Sequence, residues 1–335
     1  MTKLTQIQTP TTSYRRCYPK LVELANKQLE DQFWTSTEMK VELDKMQLKY
    51  ELTEAQLHAV KTLLTIFLRY ELIVGGEFWN SRIVKAFPRP EVALASSVVG
   101  MTELAIHAEF YNQINIVLGL DKDKDYIAYT KDKDLKERVE WLGKMLEIED
   151  DVLSVTIFSM TETALLFSAF AILKSFQING YNLIPVIVRG TNQSAIDEDL
   201  HGIISAEIIN TYYHEAGTRL VDDKDRYPKV LEAVQYVYDH ECRIIDLTIL
   251  EDTFNGVPKQ DYKEYVKHRL NTFLNRLDCP NFFEVGECSI KDCFELNTYS
   301  YKMIDFFTAG VGMEYESAWD TSGFVRGLQG EEIVS

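Results

Sequence analysis

Two residues in the stretch Asp197-Glu198-Asp199-Leu200-His201 could hold one metal ion together. On a helix, Glu198 and His201 stand three apart on one face, about 5–6 Å between Cβ atoms. A single Glu-x-x-His is common and ordinarily marks a solvated acidic helix turn, so it gains weight only from partners. Three other segments supply them. Glu103 and His107 stand four apart, and Glu71 and Glu162 are lone acids within apolar runs of helical period. Each alone has an ordinary reading, since a lone glutamate often sits at a helix edge and a lone histidine in a hydrogen-bonded core. Together they are different. An ionised carboxylate in a dry bundle is strongly destabilising unless paired or metal-bound, so four helices aiming acids inward imply a compensating charge. Oxygen-rich ligands with one imidazole per metal suit iron or manganese.

The elements that must carry these residues read as helices. Glycine and proline are scarce, 16 and 8 in 335 residues, and apolar residues recur at three-and-four spacing, whereas strand-like alternation with turn dipeptides is hard to find. Residues 1–13 are expected to form a flexible arm, followed by a helix over 19–33 that Gln32-Phe33-Trp34 closes. Thr53 and Gln56 have the form of a capping box; the helix they start carries Glu71 and runs to about Val74, where Gly75-Gly76 would end it. Pro88-Arg89-Pro90 breaks the chain before a helix over 91–118 that holds Glu103, His107 and Tyr111.

The connector 121–137 begins like a calcium loop, but Tyr126 stands where that loop needs glycine, so it reads as a solvated loop. Helices follow over 136–145, over 150–176 through Glu162, and, after Gly180 and Pro185, over 187–215. Two more span 227–250 and 262–277. Residues 278–297 read as an irregular insertion within a domain spanning 14–309, and the glycine-rich stretch 310–335 as a mobile tail.

Composition narrows the function. The net charge of −17, from 35 basic and 52 acidic residues, argues against nucleic acid or an anionic membrane as partner. Cys17, Cys242, Cys279, Cys288 and Cys293 are an odd set with no zinc-ribbon spacing, and the first residues do not form a signal peptide, so a cytoplasmic protein with reduced thiols is expected. The apolar run 164–173 is flanked and interrupted by Glu162, Thr163, Ser168 and Lys174, which reads as a buried helix rather than a membrane span. No phosphate-binding loop, dinucleotide fingerprint, nucleophile elbow or repeat of 20–50 residues is present.

One glutamate from each of two helices and a Glu/His pair from each of two others is the known ligand pattern of ferritin-like dimetal-carboxylate bundles. Over roughly residues 30–320 the chain resembles the radical-generating small (β) subunit of class I ribonucleotide reductases. The stretch Ala105-Ile106-His107-Ala108-Glu109-Phe110-Tyr111 looks like the family's ligand histidine followed by its radical tyrosine. Glu162, with Leu166 and Phe170 beyond it, resembles the helix that gives one ligand and lines the radical's apolar pocket. Asp197-Glu198-Asp199-Leu200-His201 resembles the second ligand pair preceded by a relay aspartate. Gln32-Phe33-Trp34 resembles the near-surface tryptophan of the relay, and Glu71 matches the first ligand by position. Asp305-Phe306-Phe307 and the tail look like the end that docks on the large subunit, with Tyr315 as its relay tyrosine.

The resemblance implies an all-α, ferritin-like bundle with additional helices that activates oxygen at a dinuclear centre. Two irons are expected first, with dimanganese or manganese/iron as the alternatives. Tyr111 would store a tyrosyl radical, and Asp197, Trp34 and Tyr315 would relay it to the large (α) subunit for reduction of ribonucleotides. A homodimer and a flavoprotein activase are further implied partners. One departure stands out: the family's first pair is normally Glu-x-x-His, whereas Leu104 stands three before His107. Either Glu103 reaches the metal as an i,i+4 neighbour, or a π-type bulge absorbs the extra residue, or this ligand is lost. The alternatives of other classes are a dimetal hydroxylase, desaturase or oxidase of the same architecture and a non-enzymatic metal-binding bundle.

Overall fold

The computed structural model describes residues 4–291 and residue 294. Thirteen α-helices occur in this part, several continuing directly from one another: α1 Pro19–Glu30, α2 Lys45–Tyr50, α3 Glu54–Glu71, α4 Val84–Ala86, α5 Pro90–Met101, α6 Ala108–Leu118, α7 Asp123–Tyr126, α8 Lys133–Leu146, α9 Asp151–Phe158, α10 Phe167–Lys174, α11 Pro185–Ala216, α12 Tyr227–Thr248 and α13 Lys259–Arg276. The all-α expectation holds. The core is built from α3, the α5/α6 and α9/α10 rods and α11. Around them, α1 packs on α5 and α11, and α12 packs on α13, α3 and α8.

The sequence explains where most of these begin. Thr53 Oγ1 accepts from Gln56 N at 3.2 Å and Gln56 Oε1 accepts from Thr53 N at 3.0 Å, the reciprocal cap the spacing predicts. Asp150 caps α9 through the amides of Val152 and Leu153, and prolines occupy the first turns of α1, α5, α11 and α12. The apolar stretch from Asp151 to Gln177 is long enough to cross a membrane, and from Val152 to Phe176 it is buried inside the bundle.

Three of the four core rods are locally underwound into π-helix: Leu72–Ile83 follows α3, Thr102–His107 joins α5 to α6, and Thr161–Leu165 lies between α9 and α10. Each inserted residue redirects the side chains of one turn without breaking the rod. The expected stop at Gly75-Gly76 is therefore corrected, because the helix runs on through Ile83. Gly75 serves close approach instead. A Cβ there would lie 2.8 Å from both Glu103 Cβ and Leu104 Cγ, so only glycine lets this rod lie against the π turn that bears Glu103.

Other boundaries differ from expectation. The first helix ends at Glu30, before Gln32-Phe33-Trp34. The connector 121–137 is partly helical, through α7, a 3₁₀ turn at Ala128–Lys131 and a start of α8 that Asp132 caps. A two-stranded hairpin, β1 Thr253–Phe254 and β2 Val257–Pro258, pairs antiparallel with Thr253 opposite Pro258. Its Asn255-Gly256 turn has both residues at positive φ (49° and 76°), the usual signature of a type I′ hairpin.

The amino-terminal stretch is fastened over its described part. Ile7 is buried, its amide donates to Glu215 at 2.7 Å, and Tyr18 Oη donates to the same carboxylate. Residues 278–291 are without strand or regular helix until Ser289, and they are tied to α13: Asn271 bonds the backbone of Phe282 and Phe283, and Glu264 accepts from Gly286 N. The tail 310–335, Tyr315, Asp305-Phe306-Phe307 and Cys293 lie outside the described residues.

Candidate metal centre

The four core rods bring all six predicted ligands together. Glu71, Glu103, His107 and Glu198 form one group, and Glu103, Glu162, Glu198 and His201 a second, with the ligand atoms of each within 4.8 Å of one another. Glu103 and Glu198 belong to both groups, so they stand where bridging carboxylates would stand. Every member is buried to within 1%. Glu103 is turned into the cluster. Its Oε2 faces His107 Nδ1 at 2.9 Å and its Oε1 faces His201 Nδ1 at 2.6 Å. The four-residue spacing is accommodated by the π turn Thr102–His107, and α11, which carries the Glu-x-x-His, is regular α-helix.

Polar atoms at the centre of this cluster are orphaned. Both oxygens of Glu71, Glu103 Oε1, Glu162 Oε2, Glu198 Oε1 and His201 Nδ1 are buried and make no hydrogen bond. Buried polar groups are otherwise almost always satisfied, so convergent orphans of this kind fit cations with oxygen and imidazole ligands. His107 is oriented from outside the cluster: Nε2 donates to Asp197 Oδ2 at 3.0 Å, so Nδ1, which faces Glu103, is the nitrogen that would meet a metal once its proton is displaced.

Burial and mutual charge shift the titration of every member of the cluster. Burial and the Glu103 charge raise Glu71 well above the usual carboxylate range, and burial with the Glu198 charge does the same to Glu162. Glu103 is held low in spite of burial by the charges of His107 and His201, and Glu198 is held low by the same two histidines beside it in spite of burial and Glu103. Burial works against protonation of the two imidazoles, and Glu103 and the other carboxylates overcome it, so both are raised.

Around the ligands lies a second set of contacts. Asp197 Oδ2 accepts Trp34 Nε1 at 2.7 Å and Oδ1 accepts Gln28 Nε2 at 2.8 Å, so Trp34, Asp197 and His107 form one hydrogen-bonded line. Trp34 is only 1% exposed, which corrects the near-surface placement expected for it. Tyr111 is fully buried, with its ring 4.5 Å from Phe67 and 5.1 Å from Phe110, and Phe170 in turn packs on Phe67 at 6.1 Å. Its hydroxyl lies beside Ser194, but neither group makes a hydrogen bond of ordinary geometry. Burial and the Glu71 charge keep the phenol protonated.

A profile of the ribonucleotide reductase small chain matches residues 13–289. This chain belongs to that family. It is 26% identical over 315 residues to the ribonucleoside-diphosphate reductase small chain of Ostreid herpesvirus 1 (isolate France), covering 90% of this chain and 50% of the viral one. It is 24% identical over 313 residues to a probable ribonucleoside-diphosphate reductase small subunit of Invertebrate iridescent virus 6, covering 86% and 82%. The chain thus spans half the length of the first of these relatives.

The family's fold is shared with the ribonucleotide reductase R2 subunit from Clostridium botulinum (TM-score 0.75, 19% identity, 87% of this chain and 94% of that one). It is shared too with the dimanganese(II)-NrdF of Streptococcus sanguinis (TM-score 0.71, 15% identity, 87% and 99%).

Sequence reasoning missed several of the surrounding residues. Phe67 stands four before Glu71 on the same face, a spacing that could have found it. Trp79, whose Nε1 donates to Glu162 Oε1 at 2.5 Å, was hidden by the helix stop expected at Gly75-Gly76. Asp199 accepts from Arg269 at 3.0 Å and Arg276 at 2.6 Å, while the same arginines bond Thr163 O and Oγ1. That clamp joins the residues flanking Glu162 and Glu198 to α13. No short-range pattern announces it.

Proposed function

We propose that this chain is the radical-generating small subunit of a ribonucleoside-diphosphate reductase, active only with a large subunit and supplying deoxyribonucleotides for DNA synthesis. The observation that carries the reading is the buried line Trp34–Asp197–His107 leading away from a two-metal cradle, with Tyr111 close by in a hydrocarbon pocket. A dimetal hydroxylase or storage protein has no need of such a line.

Glu71 and His107 would hold one metal and Glu162 and His201 the other, with Glu103 and Glu198 shared. When bound, the metal pair would supply oxygen activation and a one-electron oxidant. Tyrosine rather than phenylalanine at 111 favours di-iron or dimanganese over manganese/iron, and the oxygen-rich ligands suit iron and manganese alike; two irons are taken first, and a flavoprotein activase is a further partner of this reading. Tyr111 would give up one electron to that oxidant and its phenolic proton toward Glu71, the cluster carboxylate that acts on it most, and Phe67, Phe110 and Phe170 would keep water and reductants from the resulting neutral radical. Asp197 accepts the Trp34 N–H and holds the Nε2 proton of His107, so an electron and a proton can move along this line together. Tyr315, in the 310–335 tail, would carry the equivalent to a cysteine of the large subunit. The working form is proposed to be a cytoplasmic homodimer.

The test is electron paramagnetic resonance of protein loaded with Fe(II) or Mn(II) in air, the latter with a reduced flavoprotein. A tyrosyl doublet that Tyr111→Phe abolishes is the expected result. Uptake of both metals with no radical under either condition would overturn the proposal.

A further inference from the structure

Each half of the cradle has its own buried indole. The Trp34 ring lies 5.9 Å from His107, and its N–H goes to Asp197, which is in neither ligand group. The Trp79 ring lies 6.3 Å from His201, and its N–H goes directly to a ligand carboxylate, Glu162. What lies behind the two also differs. Trp79 is backed by Phe78 at 5.3 Å, which stacks on Phe158 at 4.4 Å, and all three are fully buried. Hydrocarbon behind an indole offers no group to receive a proton, so Trp79 is a poor link in a relay. It is well placed to hold something still.

What it holds is one oxygen of Glu162. Oε1 accepts the indole N–H at 2.5 Å, while Oε2 makes no hydrogen bond and faces His201 Nδ1 at 3.7 Å. An indole has one donor and no acceptor, so it holds Oε1 only by donating to it, and with Glu162 ionised at a metal that bond is charge-assisted and among the stronger hydrogen bonds. The π turn Thr161–Leu165 aims Glu162 inward, and the continued helix Leu72–Ile83 delivers Trp79 to it.

We propose that Trp79 is a positioning residue that makes Glu162 meet its metal through Oε2 alone, by retaining Oε1. The inference rests on the dimetal reading. Its consequence is one coordination position on the His201 side that a chelating or bridging carboxylate would otherwise fill.

The test compares full-length wild type and Trp79→Phe loaded with Mn(II) alone, by crystal structure and by Mn(II) titration. In wild type, Glu162 should bind through Oε2 only, with Oε1 still on the indole. In Trp79→Phe, Glu162 should engage metal through both oxygens, and Mn(II) affinity should change about 10-fold, as for other residues that orient a ligand. One-oxygen binding unchanged in the variant, or Oε1 on metal in wild type, overturns the proposal. If the variant does not fold, the wild-type structure decides, Oε1 on the indole supporting and Oε1 on metal refuting. A wild type that takes up no metal sinks the metal-centre reading as well, which separates that failure from this one.

Discussion

Asp197, fully buried outside the ligand groups, joins three neighbours, Gln28, Trp34 and His107, with two oxygens. Asp197→Asn keeps the shape but turns one acceptor into a donor, facing either Trp34 and His107 or Gln28. Nucleotide reduction with the large subunit is expected to fall at least about 100-fold, in the range seen when groups of a proton-coupled site are removed. Metal content and the Tyr111 radical should remain; loss of metal together with activity would mean that Asp197 acts mainly by orienting His107. The ligands themselves predict a pH effect. Glu71, Glu162, His107 and His201 are all raised, so at each of them a proton competes with a metal for the same atoms. Metal affinity should therefore rise with pH, and filling the site should release protons. Titration calorimetry in buffers of different ionisation enthalpy measures that release directly, and zero release would contradict this competition.

At the level of elements, the departure from Glu-x-x-His is resolved by underwinding. A π turn aims both Glu103 and His107 at the cluster although they stand four apart rather than three, and its neighbour accommodates it through Gly75. Gly75→Ala would set a methyl 2.8 Å from Glu103 Cβ and Leu104 Cγ. An overpacked contact of this kind typically destabilises by about 1–3 kcal/mol. The expected result is a lower melting temperature together with substoichiometric metal, because the strain falls on a shared ligand. A variant with full metal content would show that the rods separate without moving Glu103. Gly76, whose added Cβ meets nothing within 4 Å, is the control, and Gly76→Ala should bind metal normally.

For the whole molecule, a second buried charge cluster sets acid stability. Arg138 is enclosed with Glu241, and His240 accepts from Arg138 Nε at 3.3 Å through Nδ1 while its Nε2–H donates to Asp134 O at 3.0 Å. Burial and the Arg138 charge push His240 down to about 3. The unfolded chain therefore takes up a proton near pH 6.5 that the folded chain refuses, so stability falls as the pH drops from about 6.5 toward 3, by about 1.4 kcal/mol per pH unit. Urea denaturation at pH 7 and pH 5 should show about 2 kcal/mol more loss in wild type than in His240→Gln. Equal losses would mean that His240 is protonated within the fold.

The sequence by itself determined the helical class, the cap at Thr53 and the six acids and histidines that converge, because an acid or histidine inside an apolar helical period is visible one residue at a time. It also raised the bulge at Glu103 as one of three options. What only the tertiary structure decided was which option holds, that Glu103 and Glu198 stand between both histidines, and that the helix passes through Gly75-Gly76. These depend on how closely neighbouring rods approach, which local spacing does not encode. Trp79 on Glu162 and Arg269 with Arg276 on Asp199 were invisible for the same reason: each contact spans about 70 residues or more, so only packing brings the partners together.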